Sequence, residues 1–343
     1  MKRVLIASWV PSYNRQGADL CGAINGAGFF ARLWQVGWGG FAGGRLSRLR
    51  RALEKAKFLC VAITGRFDVV VLVGRPMLSL AGVCKRMLRM KVVYYSLEYS
   101  KLSGGESRLL ASFVDRIIDV EENRIRQFME DNALKVPGLV VNNMPHLHDK
   151  PMGGKLKDYL LKKFGIASNV KIVVYAGSYQ RYLRLEKIIE AATRMKGECV
   201  FVLMMYANLK GLNLPDNVKV IPPVSGDDFY SWLADADCAL LPYETADDFN
   251  VKNCSPQKLF DCYLAGVPYV ASNRPIIMKT LEAGPLVGVL CSFDDVEQIM
   301  SGVRTLLCRD RNWVRKAMRH LHETRFNYDL VEKDVLQFCY LGA

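Results

Sequence analysis

The feature of this chain that most restricts its fold is a series of short, continuously apolar runs of strand length, rich in Val and Ile. Helix-length segments separate them. In the first half of the chain these runs are residues 4–7, 69–73, 91–95 and 116–120. Strands that are apolar on both faces and alternate with helices are typical of a parallel sheet covered by helices on both sides. The pattern therefore predicts an α/β fold.

The same pattern restarts after a polar stretch at residues 142–154 that contains Pro and Gly. The strand candidates of the second half are residues 171–176, 199–205, 218–221, 238–241 and 267–271. The length of 343 residues suits two domains at roughly 100–200 residues each. We therefore expect two doubly wound, nucleotide-fold domains with a boundary near residues 145–165.

The net charge of the chain is unevenly placed. Lys and Arg outnumber Asp and Glu by 47 to 34, which gives a formal net charge of +13. Residues 1–97 carry 16 basic and three acidic side chains, whereas residues 98–343 carry 31 of each. This asymmetry indicates a polyanionic partner, either nucleic acid or an anionic membrane, unless the first region only presents a basic solvated face.

A basic amphipathic helix is predicted at residues 45–59, with six cations and one anion. Its leucines and Ala56 recur at helical spacing. Such a helix is typical of a membrane-surface or partner-binding element, and the alternative is a solvated helix that packs its leucines inward. The predicted membrane-surface residues are Arg45, Arg48, Arg50, Arg51 and Lys55.

Other partners and compartments are less well supported. Nucleic-acid binding requires interleaved aromatic residues or a recognisable module, and the sequence shows neither. The apolar run after Met1-Lys2-Arg3 is too short for a secretory signal and is followed by no small-residue cleavage site. No apolar run approaches the roughly 20 residues of a membrane-spanning helix. We expect contact with a membrane to be made from its surface.

No metal site is predicted. The ten cysteines include no Cys-x-x-Cys pair and no zinc-type spacing, and in a chain of this size they are typical of reduced thiols in a cytosolic protein. Asp235-Ala236-Asp237 has the form of a metal-binding Asp-x-Asp motif. It runs directly into an apolar strand, however, and we interpret it as structural.

The most informative stretch lies at residues 240–268. A strand ends at Pro242, a polar loop follows, and Ser255 is a good N-cap with Pro256 at the first helical position. A helix N-terminus is thereby presented at the carboxyl end of a sheet, where open α/β folds bind ligands and where bare N–H groups favour phosphate. Lys258 stands in the first turn, where the helix dipole disfavours a cation unless an anion is bound. Asp261, three residues on, lies on the same helix face and can accept hydrogen bonds from the hydroxyls of a ribose. The alternative to a ligand site is an ordinary capped surface helix with a Lys–Asp pair.

A second candidate site is the loop after the first strand of the second half. Gly177 allows a phosphate to approach the backbone, and Arg181 and Arg184 follow with planar, multi-donor side chains. The alternative is a loop and helix start with solvated arginines. Both candidate sites follow strands of the same predicted sheet.

Several segments of the second half together carry a family resemblance. They are Val174-Tyr175-Ala176-Gly177-Ser178, residues 185–192, residues 232–243, Ser255-Pro256-Gln257-Lys258-Leu259-Phe260-Asp261 and residues 266–272. This half resembles the nucleotide-sugar-binding domain of glycosyltransferase family 4 and related GT-B enzymes, specifically over about residues 170–290 and more weakly over residues 1–145. The resemblance implies a GT-B fold, with two Rossmann-like doubly wound domains facing a cleft.

The resemblance also implies a domain plan and a site. The acceptor-side domain is residues 1–150, the nucleotide-sugar domain is residues 151–318, and residues 319–343 form a helix that crosses back to the first domain. Arg184 matches a cation on the donor diphosphate, and Ser178 stands where the family often has Arg. The family's two glutamates fall at Asn253 and Asp261. The implied donor-binding residues are Gly17, Gly177, Ser178, Arg181, Asn253, Ser255, Leu259 and Asp261.

The implied catalytic residues are Glu98, Arg184 and Lys258. Glu98 belongs to Tyr94-Tyr95-Ser96-Leu97-Glu98, which is similar to a family element that has a histidine in place of Leu97. Arg184, Lys258 and the helix N-terminus at 255–258 would stabilise the charge that forms on the leaving diphosphate. The family is largely metal-independent, so no cofactor is expected. It also retains the anomeric configuration of the sugar.

The function implied by the resemblance is transfer of a sugar from a nucleoside-diphosphate sugar to a glycan or lipid-linked acceptor. The expected setting is bacterial surface polysaccharide or glycolipid synthesis, in the cytoplasm at the inner face of the cell membrane. One alternative is a nucleotide-sugar isomerase of the non-hydrolysing epimerase type. Another is a degenerate, non-catalytic GT-B binding protein, which Ser178, Asn253 and Leu97 would explain.

Overall fold

The computed structural model describes residues 3–8, 15–26, 30–35, 45–99, 101–147, 153–206, 213–224, 226–245, 248–284 and 286–340. The chain divides into two compact units. The first comprises Met1–Asn142 and Val331–Ala343, and the second comprises Asn143–Leu330.

The first unit contains a parallel six-stranded sheet in the order β2-β1-β3-β4-β5-β6. Its strands are β1 (Arg3–Ser8), β2 (Phe30–Gln35), β3 (Val69–Val73), β4 (Lys91–Tyr95), β5 (Arg116–Asp119) and β6 (Gly138–Val140). Its helices are α1 (Arg15–Gly26), α2 (Arg45–Gly65), a 3₁₀ helix η1 (Arg75–Leu80), α3 (Ala81–Arg86), α4 (Gly104–Phe113) and α5 (Glu122–Asp131). The last helix, α14 (Asp329–Tyr340), lies mostly within this unit, and Arg116 donates to the carbonyl of Phe338.

The second unit contains another parallel six-stranded sheet, in the order β12-β11-β10-β7-β8-β9. Its strands are β7 (Ile172–Ala176), β8 (Val200–Met204), β9 (Val218–Ile221), β10 (Cys238–Leu241), β11 (Tyr269–Ala271) and β12 (Gly288–Leu290). Its helices are α6 (Lys155–Phe164), a 3₁₀ helix η2 (Arg181–Leu183), α7 (Leu185–Arg194), α8 (Asp227–Leu233), α9 (Phe249–Lys252), α10 (Gln257–Ala265), α11 (Pro275–Ala283), α12 (Val296–Leu307) and α13 (Arg311–Thr324).

The predicted α/β class with two Rossmann-like sheets is confirmed. Every strand predicted from an apolar run is present, with ends that shift by one or two residues. The sequence did not predict β2, β6 and β12. All three are edge strands, and a strand at the edge of a sheet does not need the continuous apolar run that marks an interior one.

Each sheet has its own apolar core. In the first unit Val70, Leu72 and Val92 pack with Phe58 of α2. In the second unit Val173, Phe201 and Leu240 pack with α7 and α12. No helix among the described residues is long and apolar enough to cross a membrane.

The strand order of the second sheet reverses between β7 and β10. In the second unit β7 and β10 are neighbours; the chain proceeds from β7 through β8 and β9 on one side and from β10 through β11 and β12 on the other. The loops after β7 and β10 therefore diverge at the carboxyl edge and leave a crevice between them, which is where open α/β sheets bind ligands.

Candidate functional site

Helix α10 presents its N-terminus beside this crevice. The structure places the N-cap at Pro256, so the helix begins at Gln257, and the expectation that Ser255 is the N-cap is wrong by one residue. The Ser255 hydroxyl instead accepts a hydrogen bond from the Asn143 N–H (3.2 Å), and the Ser255 carbonyl accepts one from the Asn143 side-chain amide (2.6 Å). Gly266 ends the helix in the left-handed conformation, as predicted.

Lys258 lies in the first turn of α10 and reaches the loop after β7. Its Nζ lies 5.2 Å from the ring centre of Tyr175 and 5.6 Å from that of Tyr243. The aromatic faces attract the ammonium group, but burial lowers the pKa of Lys258 to about 8. A half-buried cation at a helix N-terminus is electrostatically disfavoured both by desolvation and by the helix dipole, and a bound anion would relieve both effects.

Gly177 is the point of closest approach between the two loops. Its φ of +155° is one that residues with a side chain rarely adopt, and a Cβ there would lie 2.4 Å from both Nζ and Cε of Lys258. The Tyr175 hydroxyl donates to the Ser178 carbonyl (2.7 Å) and fixes the turn. The structure therefore brings together Gly177, Ser178 and Lys258, which the sequence placed in two separate candidate sites.

Asp261 and Asn253 are both buried and already hold partners. The Asp261 carboxylate, 4% exposed, accepts a hydrogen bond from the hydroxyl of Tyr230 on α8 (3.1 Å). Asn253 is the C-cap of α9, and its side-chain amide donates to the carbonyl of Phe249, the first residue of that helix (3.2 Å). Leu259 is fully buried in α10, and its N–H donates to the Pro256 carbonyl (3.0 Å).

Arg184 follows η2 and has a left-handed backbone, with φ 51° and ψ 47°, which is costly for a residue with a side chain. Its Nε donates to the Asp294 carboxylate (2.5 Å) in the turn after β12. Arg181 begins η2, and its side chain lies outside the described residues. The guanidinium predicted to bind the donor diphosphate is thus held by a carboxylate of the same unit.

A carboxylate that sequence reasoning did not single out lies at the centre of this edge. Glu244 follows β10 and accepts hydrogen bonds from the Ser272 hydroxyl (2.8 Å) and the Phe293 N–H (3.0 Å). Its other oxygen lies 3.8 Å from a guanidinium nitrogen of Arg274. The available signal was its position three residues past the end of a buried strand.

The Asp235-Ala236-Asp237 carboxylates bind backbone groups. Asp235 accepts from the N–H groups of Gly154 (2.5 Å) and Leu156 (2.8 Å) at the start of α6. Asp237 accepts from the N–H of Ile172 (2.9 Å), where β7 begins. These contacts are the structural ones that the sequence analysis expected of the motif.

The predicted residues of the first unit are placed as follows. Glu98 is exposed in the turn after β4, and its catalytic role stays a prediction. Gly17 lies inside α1 and not in the preceding loop where it was expected. Lys55 lies on α2 and donates to the Ser79 hydroxyl (2.6 Å). The side chains of the other predicted membrane-surface residues lie outside the described part of α2; they are Arg45, Arg48, Arg50 and Arg51.

Comparisons with known proteins identify relatives by structure. No family model and no curated protein matches the sequence. Among solved structures, sucrose-phosphate synthase from Thermosynechococcus elongatus is similar over 98% of each chain, at 11% identity and a TM-score of 0.75. HepE of Anabaena, in complex with UDP and glucose, is similar over 98% of this chain and 99% of its own, at 14% identity and a TM-score of 0.68.

A third solved structure is WaaG, a glycosyltransferase involved in lipopolysaccharide biosynthesis. It is similar over 99% of this chain and 100% of its own, at 14% identity and a TM-score of 0.67. These likenesses extend over both units, and they agree with two parallel six-stranded sheets. The chain therefore has the fold of the GT-B glycosyltransferases.

Proposed function

We propose that the protein is a glycosyltransferase that moves a sugar from a nucleoside-diphosphate sugar to an acceptor. The observation that carries the proposal is the contact between Lys258 and Gly177 at the point where strand order reverses in the second sheet. It joins a cation, a helix N-terminus and a turn without a side chain, which together suit a phosphate group. HepE, which shares the fold, binds UDP and UDP-glucose.

The chemistry follows from the leaving group. Breaking the bond between sugar and phosphate leaves negative charge on the diphosphate, and preorganised positive groups lower the barrier when they stabilise that charge. Lys258 and the N–H groups of α10 supply such charge without rearrangement, and Arg184 adds a second cation if it turns from Asp294 to phosphate. We propose that the reaction requires no metal ion and no cofactor.

Donor binding is the direct test. A calorimetric screen of UDP-, GDP-, ADP- and dTDP-sugars is expected to identify one nucleotide that binds. Lys258→Met should weaken its affinity by about a hundredfold, because a charge-assisted contact with phosphate in a partly buried site is worth about 1.5–3 kcal/mol. Lys187→Met is the matched control, since Lys187 lies on α7, which packs with α12 in the same unit, and pairs with Glu190 (3.3 Å).

Two binding results would overturn this proposal. One is the absence of binding to every sugar nucleotide tested, which would favour a non-catalytic binding protein. The other is a Lys258→Met variant that binds as tightly as the Lys187→Met control. Turnover of the sugar nucleotide to an epimer without any acceptor would identify an isomerase instead.

For the acceptor we propose a lipid-linked glycan precursor at the inner face of a bacterial membrane, used for a surface polysaccharide or glycolipid. Support comes from the excess of cations in residues 1–97 and from the structural likeness to WaaG, which is involved in lipopolysaccharide biosynthesis. We also propose retention of the anomeric configuration. NMR of the purified product distinguishes retention from inversion.

Helix α2 is the element that we propose for membrane contact. Phe58 and Ala62 pack into the core of the first unit, whereas Leu53 and Ile63 point to solvent with exposures of 51% and 59%. Lys57, one turn from Leu53, is exposed and pairs with Glu54 (2.8 Å), and the predicted basic residues lie at the start of the same helix. An exposed face with both apolar and basic groups suits an anionic lipid surface better than water.

Vesicle sedimentation tests this docking. Changing four cations of α2 to Gln should reduce binding to vesicles that contain phosphatidylglycerol and leave donor affinity unchanged; they are Arg45, Arg48, Arg50 and Arg51. The matched control changes four cations of helix α6 in the second unit to Gln, namely Lys155, Lys157, Lys162 and Lys163. An equal loss in both variants would show that only total charge matters, and this would contradict docking through α2.

A further inference from the structure

Glu244 is a partly buried carboxylate, 15% exposed at its side chain, that no step of the proposed reaction uses. One of its oxygens accepts two hydrogen bonds, from the Ser272 hydroxyl (2.8 Å) and the Phe293 N–H (3.0 Å), and the other faces Arg274. These partners follow two different strands, β11 and β12, and Glu244 itself follows β10. A single side chain thus connects the carboxyl ends of three neighbouring strands.

Ser272 and Arg274, two of the partners of Glu244, hold the backbone of Tyr243 in place. The Ser272 hydroxyl that donates to Glu244 also accepts the N–H of Tyr243 (2.9 Å), and Nε of Arg274 donates to the Tyr243 carbonyl (2.7 Å). Both backbone groups of Tyr243 are therefore held by side chains that Glu244 holds in turn. The Tyr243 ring lies against the ammonium group of Lys258.

The second partner leads to Arg184. Phe293, whose N–H donates to Glu244, is fully buried and immediately precedes Asp294. Asp294 is the carboxylate that holds Arg184. In addition, the Glu244 N–H donates to the carbonyl of Tyr182 (3.1 Å), whose ring stacks on Tyr243 at 5.4 Å between centres.

We propose that Glu244 is a positioning residue for the donor site, which sets the places of Lys258 and Arg184 through Tyr243 and through the Phe293–Asp294 turn. It does not touch the donor itself. This inference rests on the proposed function, because positioning has meaning only if Lys258 and Arg184 bind a sugar nucleotide. Sites of this kind lose affinity when the groups that support the binding residues are altered, even where the binding residues remain.

Glu244→Gln is the informative variant. The amide keeps an oxygen that can accept from Ser272 and Phe293, but it loses the charge that faces Arg274, so the fold is expected to survive. Donor affinity should fall by about tenfold to a hundredfold, the range expected when a binding group is misplaced by about 1 Å. The Michaelis constant for the acceptor should not change, a split that a general loss of folded protein would not produce.

Glu198→Gln is the matched control. Glu198 also pairs with an arginine, Arg304, through two hydrogen bonds, but it lies just before the amino end of β8. A double variant adds Lys258→Met to Glu244→Gln. Because Glu244 acts partly through Lys258, the loss of binding free energy in the double variant should be smaller than the sum of the losses in the two single variants.

The outcomes separate this inference from the proposed function. If the unchanged protein binds no sugar nucleotide, the proposed function fails. If it binds and Glu244→Gln binds equally well, only the positioning role fails. Fully additive losses in the double variant would show that Glu244 does not act through Lys258 and would overturn the route through Tyr243.

Discussion

The two units have the same kind of sheet but use buried charge in different ways. In the second unit Glu244 draws its partners from three loops and fixes the edge that carries Lys258. In the first unit Asp119, at the end of β5, forms a 3.4 Å ion pair with Arg124 on the very next helix, and both are at least 96% buried. Among the described residues, Nε and Nη2 of Arg124 and one oxygen of Asp119 have no hydrogen-bond partner.

This difference shows that burial of charge does not by itself mark a ligand site. Burial raises the pKa of Asp119, and the nearby guanidinium of Arg124 opposes the shift. A buried pair with unsatisfied atoms gains little over apolar residues of the same volume. The pair in the first unit therefore adds little stability beyond that of apolar residues of the same volume, whereas the contacts of Glu244 connect three loops at the candidate site.

The largest expected effect comes from breaking the ion pair between Asp119 and Arg124 in the first unit. Arg124→Ala leaves the Asp119 carboxylate buried without its countercharge, and we expect the free energy of unfolding to fall by about 3–5 kcal/mol. Asp119→Leu combined with Arg124→Met should recover most of this loss. Urea unfolding followed by hydrogen exchange of the β5 amides would measure the first unit separately.

Arg126→Ala provides the reference for that measurement. Arg126 lies on the same helix α5 and pairs with Glu122, and both side chains are more than 60% exposed. Loss of an exposed pair of this kind costs about 0.2–1 kcal/mol. If Arg124→Ala were no more destabilising than this control, the buried Asp119 carboxylate would not depend on Arg124 for its countercharge, and this prediction would be wrong.

The second prediction concerns the pH dependence of the site in the second unit. Because the pKa of Lys258 is about 8, the ammonium group is present below that pH and is lost above it. Affinity for a sugar nucleotide should be constant below pH 7 and should fall by up to about tenfold per pH unit above pH 8. A sugar nucleotide is the proper probe, since its diphosphate has no terminal phosphate to titrate in this range.

The sign of the stability effect follows from the same shift. The pKa of Lys258 is lower in the folded chain than the ordinary 10.5 of an exposed lysine, so the unfolded chain binds more protons between the two values. The contribution of this group to the free energy of unfolding therefore increases as the pH rises from about 8 to 10.5.

Lys258→Met is the control for the pH dependence of donor affinity. This variant should bind the sugar nucleotide weakly at every pH. If its affinity still fell above pH 8, the titration would belong to another group.

The third prediction tests the close approach of the two loops. Gly177→Ala forces the end of the Lys258 side chain away, and donor affinity should fall by about tenfold. Gly197→Ala is the matched control, because Gly197 also has a positive φ, +91°, but open space around its α-carbon. Both variants should lose about 1 kcal/mol of stability from backbone strain, and only the first should lose affinity.

How far the sequence predicts this molecule depends on how local each signal is. Interior strands such as β3 and β7 must be apolar on both faces and were predicted, whereas the edge strands β2, β6 and β12 carry no such requirement. Lys258 and Gly177 were singled out because each has a recognisable local setting, a helix start and a turn after a strand.

The parts of the site that were missed depend on contacts between distant segments. Nothing near Glu244 in the sequence indicates that Ser272 and Phe293, 28 and 49 residues later, would donate to it. The same holds for Asp294, which meets Arg184 across 110 residues, and for Tyr230, whose hydroxyl occupies Asp261. Ser255 was assigned as a cap from its residue type, but its partner is Asn143, 112 residues away.

The smallest expected effect concerns the exposed apolar side chains of α2 in the first unit and of α6 in the second. If α2 attracts lipid by charge alone, its exposed apolar side chains contribute nothing to vesicle binding. If α2 inserts into the lipid surface, these side chains strengthen the binding. Leu53→Ser and Ile63→Ser should each weaken binding to vesicles with phosphatidylglycerol by about fivefold, since burying part of such a side chain is worth about 1 kcal/mol. Leu161→Ser, at an equally exposed position on α6 in the second unit, is the control. If neither α2 variant lost vesicle binding, the contact would be restricted to charge. Donor affinity should remain unchanged in all three variants, because none of these side chains belongs to the proposed donor site.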